Sequence, residues 1–300
     1  MHLVPFQNTL KTDLSPQIPN KLLISSACIE SSHEIIIVVN AFGANESLWS
    51  PLCEAIQDIA RLAVLNMRLL PGFEADQGCN MLVSEDAHIE DIARFIDSVG
   101  DDRAVILMGW CTGAELALRF AARVPERVKA CILLNGAFKL DTDEPATAYT
   151  LNIERLIDRV LQYPSSANAF VQFFNANFHR QSSALGLPSV EVLRSVSLPF
   201  QSGDNLLRYA RLISDFKQWP LQKLSDIPIP VLVLSGSCDV VANPVLSKHV
   251  AATLPSGKFH LVVGGTHYMS YDNEEVWKLI RDFLSEVNLT NSSPKLSNNL

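Results

Sequence analysis

Three hundred residues suffice for one large α/β domain or two small ones, and 48% hydrophobic with 19% charged residues describes a chain with a sizeable core, not a disordered one. A net charge of −8 without any block of five basic residues argues against a nucleic-acid binder, whose phosphate contacts need clustered Lys and Arg. The longest apolar runs, near 35–39 and 231–234, are far too short to span a bilayer.

Residues 1–33 carry Pro and Ser with weak periodicity, and 21–29 is a candidate edge strand. The unbroken β-branched run over 34–40 predicts a fully buried strand, followed by a helix over about 47–59 and a strand over 62–67. Ile89, Ile92, Ala93, Phe95 and Ile96 at helical spacing predict an amphipathic helix over 85–99. A strand over 103–108, a helix to about 124 and a strand over 128–134 come next. Past Asn135 the period turns helical through 140–222, with no strong strand. Beyond Pro228 the alternation returns as strand 230–235, helix 244–254, strand 259–263 and helix 274–287.

Such alternation with short joints predicts an α/β fold whose mostly parallel sheet is doubly wound, with helices on both faces. Residues 1–139 and 223–290 are assigned to this core. Residues 140–222 form a helical lid inserted over the strands' C-terminal edge, where open α/β sheets bind ligands. The Asn- and Ser-rich residues 291–300 are expected to be a disordered tail. Pro5, Gln7 and Asn8 stand where a secretory signal would place its apolar stretch. The six cysteines (Cys28, Cys53, Cys79, Cys111, Cys131, Cys238) lack C-x-x-C spacing, which is unlike a disulfide framework or a zinc site. A reduced, cytoplasmic setting is expected, with no metal and no cofactor.

The residues Gly109-Trp110-Cys111-Thr112-Gly113 sit between a strand and a helix, the context that a nucleophile elbow needs. Glycines two positions either side let strand and helix backbones approach closely, and a first-turn position favours thiolate over thiol. Strand 230–235 runs on into Gly236-Ser237-Cys238-Asp239, and strand 259–263 into Gly264-Gly265-Thr266-His267. The order nucleophile, acid, base suggests that His267 takes the Cys111 proton while Asp239 fixes the imidazole tautomer. His179, within the insertion, is the reserve histidine. Asn40-Ala41-Phe42-Gly43 follows the first buried strand, so the backbone N–H groups of Phe42 and Thr112 are the candidate oxyanion donors. Phe170, Phe173, Phe174 and Phe178 share one helix face and, with Trp110, are candidates for lining an acyl pocket.

From about residue 35 to 283 the chain resembles an α/β-hydrolase fold protein with a lid, on the strength of Asn40–Gly43 with Trp49, Met67-Arg68, the elbow, Gly236 to Asp239 and His267. Most members carry His-Gly at Asn40-Ala41 and serine at Cys111. With its cysteine the chain is similar to the thioesterase- or cyclase-type proteins of polyketide and peptide assembly lines. Polymer synthases and dienelactone hydrolases also share a cysteine elbow. A cysteine nucleophile exchanges one thioester for another at little cost, whereas an oxygen ester lies uphill to the same intermediate. The resemblance therefore implies an acyl-processing enzyme of secondary metabolism: a thioesterase, acyltransferase or cyclase. Its partner is a small-molecule acyl substrate, free, on coenzyme A or on a carrier protein. The alternatives are an esterase or lactone hydrolase using the same triad, and a non-catalytic binding protein on the same fold.

Overall fold

The computed structural model describes residues 34–67, 84–99, 104–141, 146–177, 189–220 and 223–292. Strands β1 (Glu34–Val39), β2 (Ala60–Leu65), β3 (Val105–Trp110), β4 (Val128–Leu134), β5 (Val231–Gly236) and β6 (Gly257–Val262) form one sheet. Their order is β2-β1-β3-β4-β5-β6, with every neighbouring pair parallel. Parallel neighbours need long crossovers. These carry α1 (Ser50–Ile56), α2 (Glu85–Ser98), α3 (Thr112–Arg123) and, between β5 and β6, α8 (Pro244–Thr253). The short α9 (Met269–Asp272) and the long α10 (Glu274–Ser292) follow β6.

Strand alternation divides the core in two. Ile35, Ile37 and Val39 of β1 pack with Ile92 of α2 and Leu116 of α3 on one face. Ile36 and Val38 pack with Leu52 of α1 and Ile280 of α10 on the other. The sheet is therefore covered on both sides, as its continuous apolar strands require.

Several boundaries differ from the sequence reading. β2 begins at Ala60, two residues early, because it pairs with β1 along its whole length from Glu34. β6 also begins two residues early, at Gly257 opposite Val231. Its half-exposed residues give little hydropathy signal. The helix expected over 47–59 is a 3-10 turn (Glu46–Trp49) followed by α1, with Pro51 in the first turn, where its missing N–H costs nothing. The candidate strand at 21–29 lies outside the described residues. Among the described residues, no helix is long and apolar enough to cross a membrane.

Between β4 and β5 the chain builds α4 (Ala148–Gln162), α5 (Ala167–Ala176), α6 (Val190–Val196) and α7 (Gly203–Gln218). A buried ionic cluster ties the return from this insertion to α3. Arg119, 1% exposed, pairs with Glu115 and Glu85, donates to the Pro220 carbonyl and lies over the Trp219 ring. Lys139 Nζ donates to the Trp219 carbonyl, and the Lys139 N–H to Glu115 Oε2.

Candidate active site

The turn after β3 is dictated by backbone crowding. Gly109 is still in the strand, opposite Val39 and Leu133, and a Cβ on it would lie 2.4 Å from the Ala114 Cα. A Cβ on Gly113 would lie 2.0 Å from the Val39 carbonyl oxygen. Between them Cys111 adopts φ 54°, ψ −121°, a strained conformation for a residue with a side chain. Three hydrogen bonds hold it there. The Cys111 N–H donates to Leu134 (3.1 Å), and its carbonyl accepts from Ala114 (3.1 Å) and Ala137 (3.0 Å). The side chain is half-buried at the C-terminal edge of the sheet, beside the point where strand order reverses between β1 and β3.

The loops after β5 and β6 bring Asp239 and His267 to the same edge. His267 Nδ1 lies 2.8 Å from Asp239 Oδ2, and both side chains are almost fully buried. The other carboxylate oxygen, Oδ1, accepts from the N–H groups of Val241 (2.8 Å) and Ala242 (2.9 Å), which locks the acid in place. The Cys111 sulfur lies near enough to act on the imidazole electrostatically. Burial works against a charged ring here, but the Asp239 carboxylate and the Cys111 sulfur outweigh it and raise His267 to about 10. The His267 carbonyl is pinned separately by Trp110 Nε1 (2.9 Å) and Asn135 Nδ2 (3.0 Å). Of the remaining histidines, His249 and His260 are exposed and His88 is packed between Phe42 and Trp219. His179 lies outside the described residues.

The loop after β1 is built around Asn40, whose Oδ1 accepts from the Ala41 N–H and from Trp49 Nε1 and whose amide donates to Asn66. An asparagine thus shapes this loop where the sequence analysis noted the missing His-Gly. The N–H of Phe42, a candidate oxyanion donor, is turned to Thr112 Oγ1 at 3.0 Å. The Thr112 N–H opens α3, among the first N–H groups of the helix, which have no intrahelical acceptor.

Cys111 and His267 open into a cavity of about 580 Å³, walled by the insertion. Trp110, Phe170, Phe173 and Phe174 line it; Phe178 lies outside the described residues. Phe173 is 65% exposed at the wall, while Phe174 stacks on Phe200 with centroids 3.9 Å apart. Sequence reasoning missed Tyr149, Tyr209 and Tyr268, three of the chain's five tyrosines, which line the same space. Burial, reinforced by the charge of the Cys111 sulfur, pushes all three phenols above their ordinary range. The one available signal was Tyr268 following His267. Among the described residues, no cluster of three His, Cys, Asp or Glu side chains is placed to hold a metal ion.

The chain resembles several known proteins. The biotin biosynthesis bifunctional protein BioHC of Cellvibrio japonicus is 23% identical over 254 residues, which make up 83% of this chain and 47% of that protein. This chain thus spans about half of that relative's length. The pimeloyl-(acyl-carrier protein) methyl ester esterase of Nitrosomonas europaea is 23% identical over 252 residues, covering 80% of this chain and 92% of that one. A hydrolase from Oleispira antarctica superposes with a TM-score of 0.69 at 14% identity, over 90% of this chain and 96% of its own. The family model for the alpha/beta hydrolase fold matches residues 34–274, from the first residue of β1 to the first of α10. This chain belongs to the α/β-hydrolase fold family.

Proposed function

We propose that the chain is a cysteine-dependent acyl-processing enzyme that works on thioesters through an acyl-Cys111 intermediate. The observation that carries this reading is a strained cysteine that shares an apolar cavity with an Asp-anchored histidine on which it acts electrostatically. In the first step the Cys111 sulfur attacks the thioester carbonyl, with the proton resting on His267. The resulting oxyanion takes the N–H of Thr112, and that of Phe42 once the Thr112 hydroxyl rotates away. As the intermediate collapses, the bond to the departing thiol breaks and His267 returns its proton to that sulfur. An acceptor (water, an amine, an alcohol or a carbon nucleophile) then gives a proton to His267, attacks the acyl-enzyme and releases Cys111.

Ester hydrolysis by the same three side chains is the second reading, favoured by the esterase name that the Nitrosomonas relative carries. Intact-protein mass spectrometry with an acyl-pantetheine mimic is expected to show one acyl adduct, absent from Cys111→Ala. Labelling at another cysteine overturns the proposal. Cys111→Ser separates the two readings: loss of transfer to non-water acceptors, with ester hydrolysis retained, supports the thioester role. Full activity of the wild type on simple esters and none on thioesters supports the esterase.

A further inference from the structure

The insertion contributes two phenols to the reacting end of the cavity. Tyr149 lies on α4 and Tyr209 on α7, and both line the space with Cys111. Tyr209 is positioned by the loop after β1: its ring edge would lie 3.6 Å from a Cβ on Gly43, which has none and holds φ at +84°. The ring thus packs directly over the loop that carries the Phe42 N–H. Among the described residues, nothing hydrogen-bonds to the hydroxyl of Tyr149 or Tyr209, and neither oxygen is sealed from the cavity. Beside them the chamber is lined mainly by apolar side chains, Ile153, Leu156, Phe170, Phe174, Leu193 and Phe200 among them, with Asn152, Ser197 and Tyr268 as further polar groups.

An acyl chain filling such a chamber expels the water that solvates these phenols. A plain hydrocarbon chain leaves both donors stranded, whereas a chain with an oxygen near its carbonyl satisfies them. Sites built to hydrogen-bond a ligand oxygen discriminate strongly against analogues lacking it, far more than apolar pockets discriminate by size. We infer that Tyr149 and Tyr209 form an oxygen-recognition subsite, and that the substrate class is an acyl thioester carrying a further oxygen close to its carbonyl, with an apolar tail beyond. This rests on the reading of Cys111 as the acyl-accepting group. Phe in place of either Tyr keeps the ring packing and removes only the donor.

The test separates recognition from chemistry by using Cys111→Ala protein and two amide analogues of acyl-N-acetylcysteamine, 3-oxodecanoyl and decanoyl, titrated calorimetrically. The 3-oxo analogue is expected to bind at least about tenfold tighter, the magnitude of one good hydrogen bond or more. Tyr149→Phe or Tyr209→Phe in the same background should bring the ratio of the two affinities toward one. Equal affinities in the Cys111→Ala protein, or a ratio unmoved by both tyrosine changes, overturns the subsite. The adduct experiment on wild-type protein is read independently. No acyl-Cys111 with any thioester defeats the proposed chemistry, while the affinity ratio still decides the subsite.

Discussion

At Asn135, one side chain joins the ends of three strands. It follows β4, adopts φ 46°, accepts from the Gly236 N–H at the end of β5 (2.9 Å) and donates to the Thr266 and His267 carbonyls. Asparagine is among the few residues other than glycine that tolerate the left-handed region. Its short amide also supplies a donor and an acceptor together. Asn135→Ala removes both and leaves buried backbone groups unsatisfied at the base of the His267 loop. We expect a loss of about 1–3 kcal/mol in stability, by denaturant titration. Because Trp110 alone then pins the His267 carbonyl, kcat should fall by at least about tenfold with little change in KM, the pattern of a mispositioned base rather than a damaged pocket. An unchanged kcat would show that Trp110 suffices.

At the scale of elements, the insertion is tied to the core by charge as well as by apolar contact. Burial pushes the Glu115 carboxyl up, against the opposing pull of the Arg119 guanidinium and Lys139. Removing Arg119 takes a buried guanidinium from Glu115 and Glu85, leaving them only the Lys139 N–H and the half-exposed Arg123, and frees the Pro220 carbonyl. Arg119→Met is therefore expected to cost about 3–5 kcal/mol in urea unfolding, and adding Glu115→Gln should recover part of it. Simple additivity of the two changes would contradict the coupling. The elements themselves were legible to unequal degrees. The elbow could be read because backbone crowding leaves glycines at fixed spacing, Asp239 because it closely follows the apolar β5, and His267 because it ends the Gly-Gly turn beyond β6. β6 was placed poorly, since a half-exposed edge strand has no clean alternation. Tyr149 and Tyr209 were invisible: on amphipathic helices, periodicity does not say which face meets a cavity. The Phe42 N–H bond to Thr112 joins residues 70 apart and has no local signature.

Across the whole molecule, the coupled Asp239–His267–Cys111 group makes stability depend on pH. His267 titrates at about 10 in the folded chain, against roughly 6.5 for a free imidazole. Its raised value means that the folded state binds its proton more tightly than the unfolded state does. The associated stability is fully present below about pH 6.5 and is lost as pH climbs through about 10. Other groups act in the same upper range. Cys131, fully buried and pushed above its ordinary thiol value, is protonated in the fold but ionises on unfolding, as do the cavity tyrosines. Absolute stability should therefore fall above pH 9 in any variant. The difference between proteins isolates the histidine. Asp239→Asn removes the carboxylate, the largest influence raising the ring, while Asn retains a side-chain oxygen that can accept from the loop N–H groups. Unfolding midpoints measured from pH 6 to pH 10 should then separate most at the acid end of that range and converge toward its alkaline end. A gap that is constant with pH, or that widens toward pH 10, would mean that His267 is neutral in the fold and that Asp239 contributes through hydrogen bonding alone.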